Sequence, residues 1–230
     1  MEWSLIPEYL VNPRILGGLY TTIWLSLASM AIGLVMGLIA AIMRLSKYRV
    51  LSAIAWTFVW LFQGTPLLLQ LIMIYTALPQ LGLRFDVITC ALIGLGFHEG
   101  AFLAETFRGG IISVAKGQLE AARALGMKFF TMTRRIVLPQ AARLILPDVG
   151  NRFNGLMKST SLASAISMEE LLRRSQQIAE SNFRILELFS VAMIYYLLLT
   201  TIWGLVQRQL ENHFGKGHQE APSVKTGDSL

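Results

Sequence analysis

Two long stretches of this chain carry no charged side chain at all, Ile15 to Met43 and Val50 to Leu83. Each exceeds the ~20 apolar residues that an α-helix needs to cross the roughly 30 Å hydrocarbon layer of a bilayer. A backbone in that layer finds no water to hydrogen-bond, so a crossing segment must be a helix or part of a closed barrel. The length of the runs and their lack of alternation exclude barrel strands. The expected fold is therefore all-α and integral to the membrane.

Composition agrees, because 54% of the 230 residues are hydrophobic and only 15% are charged, a balance rare in soluble domains. The formal net charge of +6 does not call for nucleic acid, since the basic residues cluster between apolar runs, where they set topology. Cys90 is the only cysteine and lies in an apolar run, so neither a disulfide framework nor a thiolate metal site is available within one chain. Its expected role is packing. Residues 1–12 contain Glu2 and Glu8 but no basic residue, unlike the start of a cleaved signal peptide, so the first span is expected to be retained.

Four spans stand out, at about 15–43, 52–78, 87–112 and 186–207. A fifth candidate, 147–168, holds Asp148, Arg152 and Lys158, and hydropathy alone fits a soluble helix on the cytoplasmic face equally well. Charge placement argues for crossing. Arg44, Lys47 and Arg49 follow span one, and Arg108, Lys116, Arg123, Arg134 and Arg135 follow span three. Both connections then belong in the cytoplasm and the N-terminus outside. The tail with Arg208, Lys216 and Lys225 is cytoplasmic only if 147–168 also crosses. Five spans result, with the N-terminus out and the C-terminus in, and so polar a span must face protein or water rather than lipid. Residues 1–214 form the transmembrane domain; 215–230, polar and rich in small residues, read as a disordered cytoplasmic tail. No repeat of fixed period is present.

The connection 113–146 has its own pattern. Glu120-Ala121-Ala122 is followed after three residues by Gly126, after nine more by Ile136, and after one more by Leu138-Pro139. Gln118 to Leu125 are good helix formers, Gly126 suits the left-handed geometry that ends a helix, and Met127 onward begins a second helix carrying Arg134 and Arg135. A helix-turn-helix on the cytoplasmic face is expected. The spaced pattern resembles the EAA loop of bacterial ABC importer permeases. Gln63-Gly64-Thr65-Pro66-Leu67, Phe107-Arg108-Gly109-Gly110-Ile111 and the run Lys158 to Ser164 are similar to the permeases of polar amino-acid uptake.

That resemblance implies five spans in a bacterial cytoplasmic (inner) membrane. It also implies a second permease subunit, either the same chain or a homologue, two ABC ATPase subunits inside, and a periplasmic or surface substrate-binding protein outside. Glu120, Ala121 and Ala122 would lie on the helix that docks into the ATPase, Gly126 would set its bend, and Ile136, Leu138 and Pro139 would complete the motif. No G-x-x-x-x-G-K-S/T phosphate loop occurs in the chain, and Leu210 stands where Gly215-Lys216 would need a glycine. ATP and Mg are expected on the partner ATPase, and this chain is expected to hold no cofactor and to be no enzyme.

Ionisable residues inside spans are expensive, so each is a candidate for function. Glu99, beside His98 in span three, is placed to receive a substrate's cationic group; the alternative is an ion pair with Lys158 or Arg152 that holds the bundle. In span two, Gly64 and Pro66 should interrupt the helix near Gln63 and Thr65, as a pathway feature, a hinge or a packing kink. Ser159, Thr160 and Ser161 offer hydroxyls to the path, although such hydroxyls commonly bond back to their own helix. Neighbours on a helix point ~100° apart, so His98 and Glu99 make no nucleophile–base couple, and no metal site is expected. Two other classes remain open at this level: an ion-coupled secondary transporter, and an intramembrane enzyme using Glu99, His98 and the span-four hydroxyls.

Overall fold

The computed structural model describes residues 3–214, and every regular element among them is helical. The tail expected at 215–230 lies outside the described residues. A short helix α1 (Ile6–Leu10) leads into α2 (Pro13–Arg44). The Asn12 side chain accepts the Arg14 N–H at 2.9 Å, and Pro13 occupies the first turn, where its missing N–H leaves no bond unmade.

The next apolar run is not one straight rod. Helix α3 (Arg49–Gly64) and helix α4 (Leu67–Ile72), with its extension to Leu81, meet at 108°. Thr65 precedes Pro66, whose ring disfavours helical backbone in the residue before it, and Thr65 is accordingly extended at φ −121° and ψ 148°. A π turn, Met73–Ala77, and a 3-10 turn, Leu78–Leu81, complete this segment.

Helix α5 (Val87–Ile112) starts at Asp86, whose carboxylate accepts the N–H groups of Ile88 and Thr89. Then follow α6 (Lys116–Ala124), α7 (Phe129–Met132), a π turn (Thr133–Val137) and α8 (Leu138–Ser159). Each π turn ends shortly before a proline, Pro79 or Pro139; a widened turn makes room for a ring that can neither donate nor sit tightly against the preceding carbonyls. A 3-10 segment (Thr160–Ile166), α9 (Leu171–Asn182) and α10 (Ile185–Phe214) complete the described chain.

Among the described residues α2, α5 and α10 are each long and apolar enough to cross a membrane, and the bent α3–α4 pair counts as one more. Polar 147–168 is not a separate helix. Pro147 lies in the interior of α8, which begins at Leu138 inside the expected cytoplasmic connection, and the stretch beyond Ser159 tightens to 3-10 before Ser167 turns left-handed at φ 67°. The second helix of the expected helix-turn-helix likewise starts at Phe129 rather than Met127.

The centre of the fold is the contact of α2 with α5, built on small residues. A Cβ on Gly37 would lie 2.7 Å from Leu103 Cβ, and one on Gly100 would lie 2.9 Å from Met36 Cβ. Lipid supplies no hydrophobic force between helices, so close backbone approach and dispersion must hold them. Leu25, Leu71, Leu95, Phe153, Leu156 and Ile166 form the main core, in which Cys90 is also buried. At the other side Glu170 is fully buried: it accepts the N–H groups of Leu172 and Arg173 and the hydroxyl of Tyr196, while Leu171 N–H donates to Thr22. This knot ties α9 to α2 and α10. Outward faces carry Leu27, Val35, Leu197 and Leu205, all exposed, as a lipid-facing surface requires.

Candidate functional site

Helices α5 and α8 form an open cavity of about 330 Å³ lined by His98, Glu99, Asp148, Asn151, Arg152, Gly155 and Ser159. Glu99 comes from the middle of α5 and is only 4% exposed. Arg152 on α8 donates Nε–H to Glu99 Oε2 at 2.9 Å and lays its guanidinium over the Phe102 ring, 4.0 Å from the centroid. Of the two partners open to Glu99 from sequence, Arg152 is the one the packing supplies. One turn earlier on the same face, Asp148 accepts the Thr106 hydroxyl. Ser159 reaches the cavity wall. Thr160 and Ser161 do not: their hydroxyls donate to the carbonyls of Met157 at 2.8 Å and Lys158 at 2.7 Å.

His98 faces the break in the second apolar run. Its Nδ1 is 3.2 Å from Gln70 Oε1, and the Gln70 amide donates to the Phe62 carbonyl at 2.9 Å, the Thr65 carbonyl at 3.0 Å and the Thr65 hydroxyl at 2.8 Å. The carbonyls released by the break are thus capped by one buried side chain. Gln63 donates from the other side to the Ala101 carbonyl at 3.0 Å, fastening α3 to α5. Thr65 and Gln70 also line an apolar groove with Leu61, Phe62 and Met73. The site residues therefore fall into two joined groups, the charged cavity and the amide-capped break, with His98 between them.

The third region is the surface around α6. Glu120 and Ala121 are exposed and Ala122 is buried. Gly126 takes φ 72°; its N–H donates to Arg123 O at 2.9 Å and Met127 N–H donates to Ala122 O at 3.0 Å, the bond pair of a left-handed helix cap. Leu125, Phe129 and Phe130, in the turn and helix that follow α6, stand out at 74–81% exposure. The Gln140 amide donates N–H to Gln118 Oε1 at 2.5 Å, fastening α6 to the start of α8. Ile136 lies in the π turn; Leu138 and Pro139 open α8. Arg44 and Arg108 both pair with Glu105, at 3.3 Å and 2.6 Å, bracing α2 against the end of α5.

Residues 33–216 match the family model described as "Binding-protein-dependent transport system inner membrane component". The chain belongs to this family of transport permeases. The permease is 39% identical over 229 residues to the arginine transport system permease protein ArgU of Corynebacterium glutamicum, covering 94% of this chain and 72% of that one. It is 36% identical over 212 residues to the glutamine transport system permease protein GlnP of Escherichia coli K12, covering 91% and 96%. Among solved structures, "an amino acid ABC transporter with histidines" superposes with a TM-score of 0.83 at 32% identity over 87% of this chain and 94% of that one. The inward-facing MetNI methionine ABC transporter shares the fold, with a TM-score of 0.71 at 18% identity. The resemblance carried by the Glu120-to-Pro139 pattern is thereby confirmed, and the chain is a multi-pass transport subunit rather than an enzyme.

One residue of the candidate site escapes sequence reasoning. Gln70 reads as an ordinary polar interruption of an apolar run, and only its position across the Gly64–Pro66 break gives it work. Arg152 is open from sequence only as one of two alternative partners for Glu99, and its i, i+4 spacing from Asp148 on one helix face sets it apart from Lys158.

Proposed function

We propose that this permease carries a polar amino acid, or a close relative of one, across a bacterial inner membrane as part of an ATP-driven importer. The single observation that supports this best is the continuity of α8. One end is fastened to the exposed Glu120 helix through Gln140 and Gln118, and the other forms the charged wall of the cavity through Asp148, Asn151, Arg152 and Ser159. A push on α6 from the cytoplasmic side is thus delivered to the cavity lining by one helix.

In this reading the chain crosses five times with its N-terminus outside, the α8–3-10 segment being the fifth, polar crossing. It pairs with a second permease subunit, receives solute from an external binding protein, and docks Glu120 and the exposed Leu125, Phe129 and Phe130 into an ATPase subunit that holds ATP and Mg. Closure of the ATPases moves α6, and α8 exposes the cavity first outward and then inward. Glu99, His98, Gln63, Thr65 and Ser159 belong to the path or its walls, while Thr160 and Ser161 serve the helix.

The permease, co-expressed with its ATPase and reconstituted in proteoliposomes with the binding protein, tests this. Glu120→Arg combined with Gly126→Val is expected to abolish ATP-dependent amino-acid uptake and to weaken ATPase co-purification. Undiminished uptake by that variant overturns the coupling role of α6.

A further inference from the structure

An Asp and an Arg one turn apart on a helix ordinarily pair with each other. In α8 they do not. Asp148 is turned to the Thr106 hydroxyl, and Arg152 spends Nε on Glu99 and its flat face on Phe102. Among the described residues no ion pair or hydrogen bond engages the two terminal nitrogens of Arg152, and no cation lies within ion-pair distance of Asp148. Both residues line the same cavity.

We infer that Arg152 is the carboxylate anchor of the transport path and that Asp148 receives the ammonium group of the same solute. The guanidinium is pre-oriented from two sides, by the buried Glu99 carboxylate below and the aromatic ring across its face, so its remaining N–H groups form the two-pronged fork that matches a carboxylate. Glu99 neutralises Arg152 only from behind. It positions the anchor and does not itself take the solute's cation, which revises the direct role that sequence alone leaves open for it. The separation of the two unpaired charges, roughly the 5–6 Å between Cβ atoms one turn apart, suits a zwitterionic head group bridging them. The solute class is then a compound that keeps a free carboxylate beside a cationic nitrogen, and amines lacking the carboxylate are rejected because the fork is left unpaired.

This inference rests on the amino-acid reading above, and its test separates the two. The full permease–ATPase complex in nanodiscs is titrated calorimetrically with the twenty common amino acids and with the amines obtained by removing the carboxylate of each. The expected result is binding of at least one amino acid, with its decarboxylated partner about 100-fold weaker, the scale of two charge-assisted hydrogen bonds. Equal binding of an amino acid and its amine overturns the Arg152 assignment and leaves the importer reading intact; binding of none of the twenty overturns the inference and restricts the importer reading to relatives of the common amino acids. The paired variant Glu99→Gln/Arg152→Gln leaves no charge stranded and is expected to lose the amino acid about 100-fold while the amine is unaffected. Should that variant not assemble, Arg152→Lys, which keeps the charge but not the fork, is expected to weaken the amino acid by about tenfold or more. Wild-type affinity in whichever variant assembles overturns the inference.

Discussion

The Nε of Arg152 and the carboxylate of Glu99 meet at 2.9 Å across α8 and α5, with Glu99 buried to 4% exposure. Removing one member of a buried pair strands the other, and the stranded charge costs more than the pair contributes. Arg152 retains about a fifth of its side-chain surface, so the cost is smaller than for a fully enclosed pair. Glu99→Leu is expected to lower stability by about 2 kcal/mol, and Glu99→Leu/Arg152→Leu to recover most of the loss. Thermal unfolding of the four proteins of that cycle in detergent measures the coupling; simple addition of the two single effects contradicts the pair.

Gln70 holds the 108° break in place with one amide. Gln70→Leu leaves the Phe62 and Thr65 carbonyls without their donor in a low-dielectric setting, at about 1–3 kcal/mol for each group left unmade. Hydrogen exchange at residues 67–72 should rise in this variant and stay unchanged in the helices α9 and α10. Unchanged protection around Pro66 would show that the break holds itself.

How much of this was legible from the residues alone differs from element to element. The charge-free runs and the spaced Glu120-to-Pro139 pattern announce an all-helical membrane permease because both are local in sequence. The break at Gly64–Pro66 is legible for the same reason, since proline acts on its immediate neighbour. Pro147 misleads: a proline suits a helix start, yet here it sits inside α8, whose true start lies at Leu138, after the π turn. The partner of Glu99 lies 53 residues away, and choosing Arg152 over Lys158 needs the register of α5 against α8, which no local pattern carries. The role of Gln70 is hidden likewise, because it depends on which carbonyls the bend releases.

The α2–α5 contact makes a steric prediction. At Gly37 an added Cβ would come within 2.7 Å of Leu103 Cβ and 3.0 Å of the Gly100 carbonyl, whereas at Gly17 and Gly155 it would meet nothing within 4 Å. Gly37→Val is expected to destabilise by about 1–3 kcal/mol through forced separation of the helices, and Gly17→Ala and Gly155→Ala to stay within about 0.5 kcal/mol of wild type. Folded yield and unfolding midpoint in detergent distinguish them. Equal behaviour at Gly37 and Gly17 would mean that α2 and α5 do not pack this closely.

Gly126 carries the reversal between α6 and α7 at φ 72°, with no neighbouring atom near its Cβ position. Conformation rather than space limits substitution there, so Gly126→Ala should cost about 1 kcal/mol locally and Gly126→Val more, because a branched side chain resists left-handed backbone. The global unfolding midpoint should barely move, since α6 is an exposed appendage. ATPase co-purification should fall in the order glycine, alanine, valine. If valine binds the ATPase as well as glycine does, the angle of α6 is not what the ATPase reads.

Glu170 gives a pH signature. Burial pushes its carboxyl above the ordinary value of 4.5, against the pull of the Leu172 and Arg173 N–H groups and the Tyr196 hydroxyl. A raised value in the folded state means that the folded protein holds this proton more tightly than the unfolded chain does, so the favourable contribution is complete below pH 4.5 and is lost as pH rises towards the folded-state value. Glu170→Gln cannot ionise and keeps a carbonyl oxygen to cap α9, so it should lack that loss. The unfolding midpoint of wild type relative to Glu170→Gln is therefore expected to fall as pH is raised from about 4, then level off. A wild type that gains on the variant over the same range would mean that the hydrogen-bond donors around the carboxylate outweigh its burial.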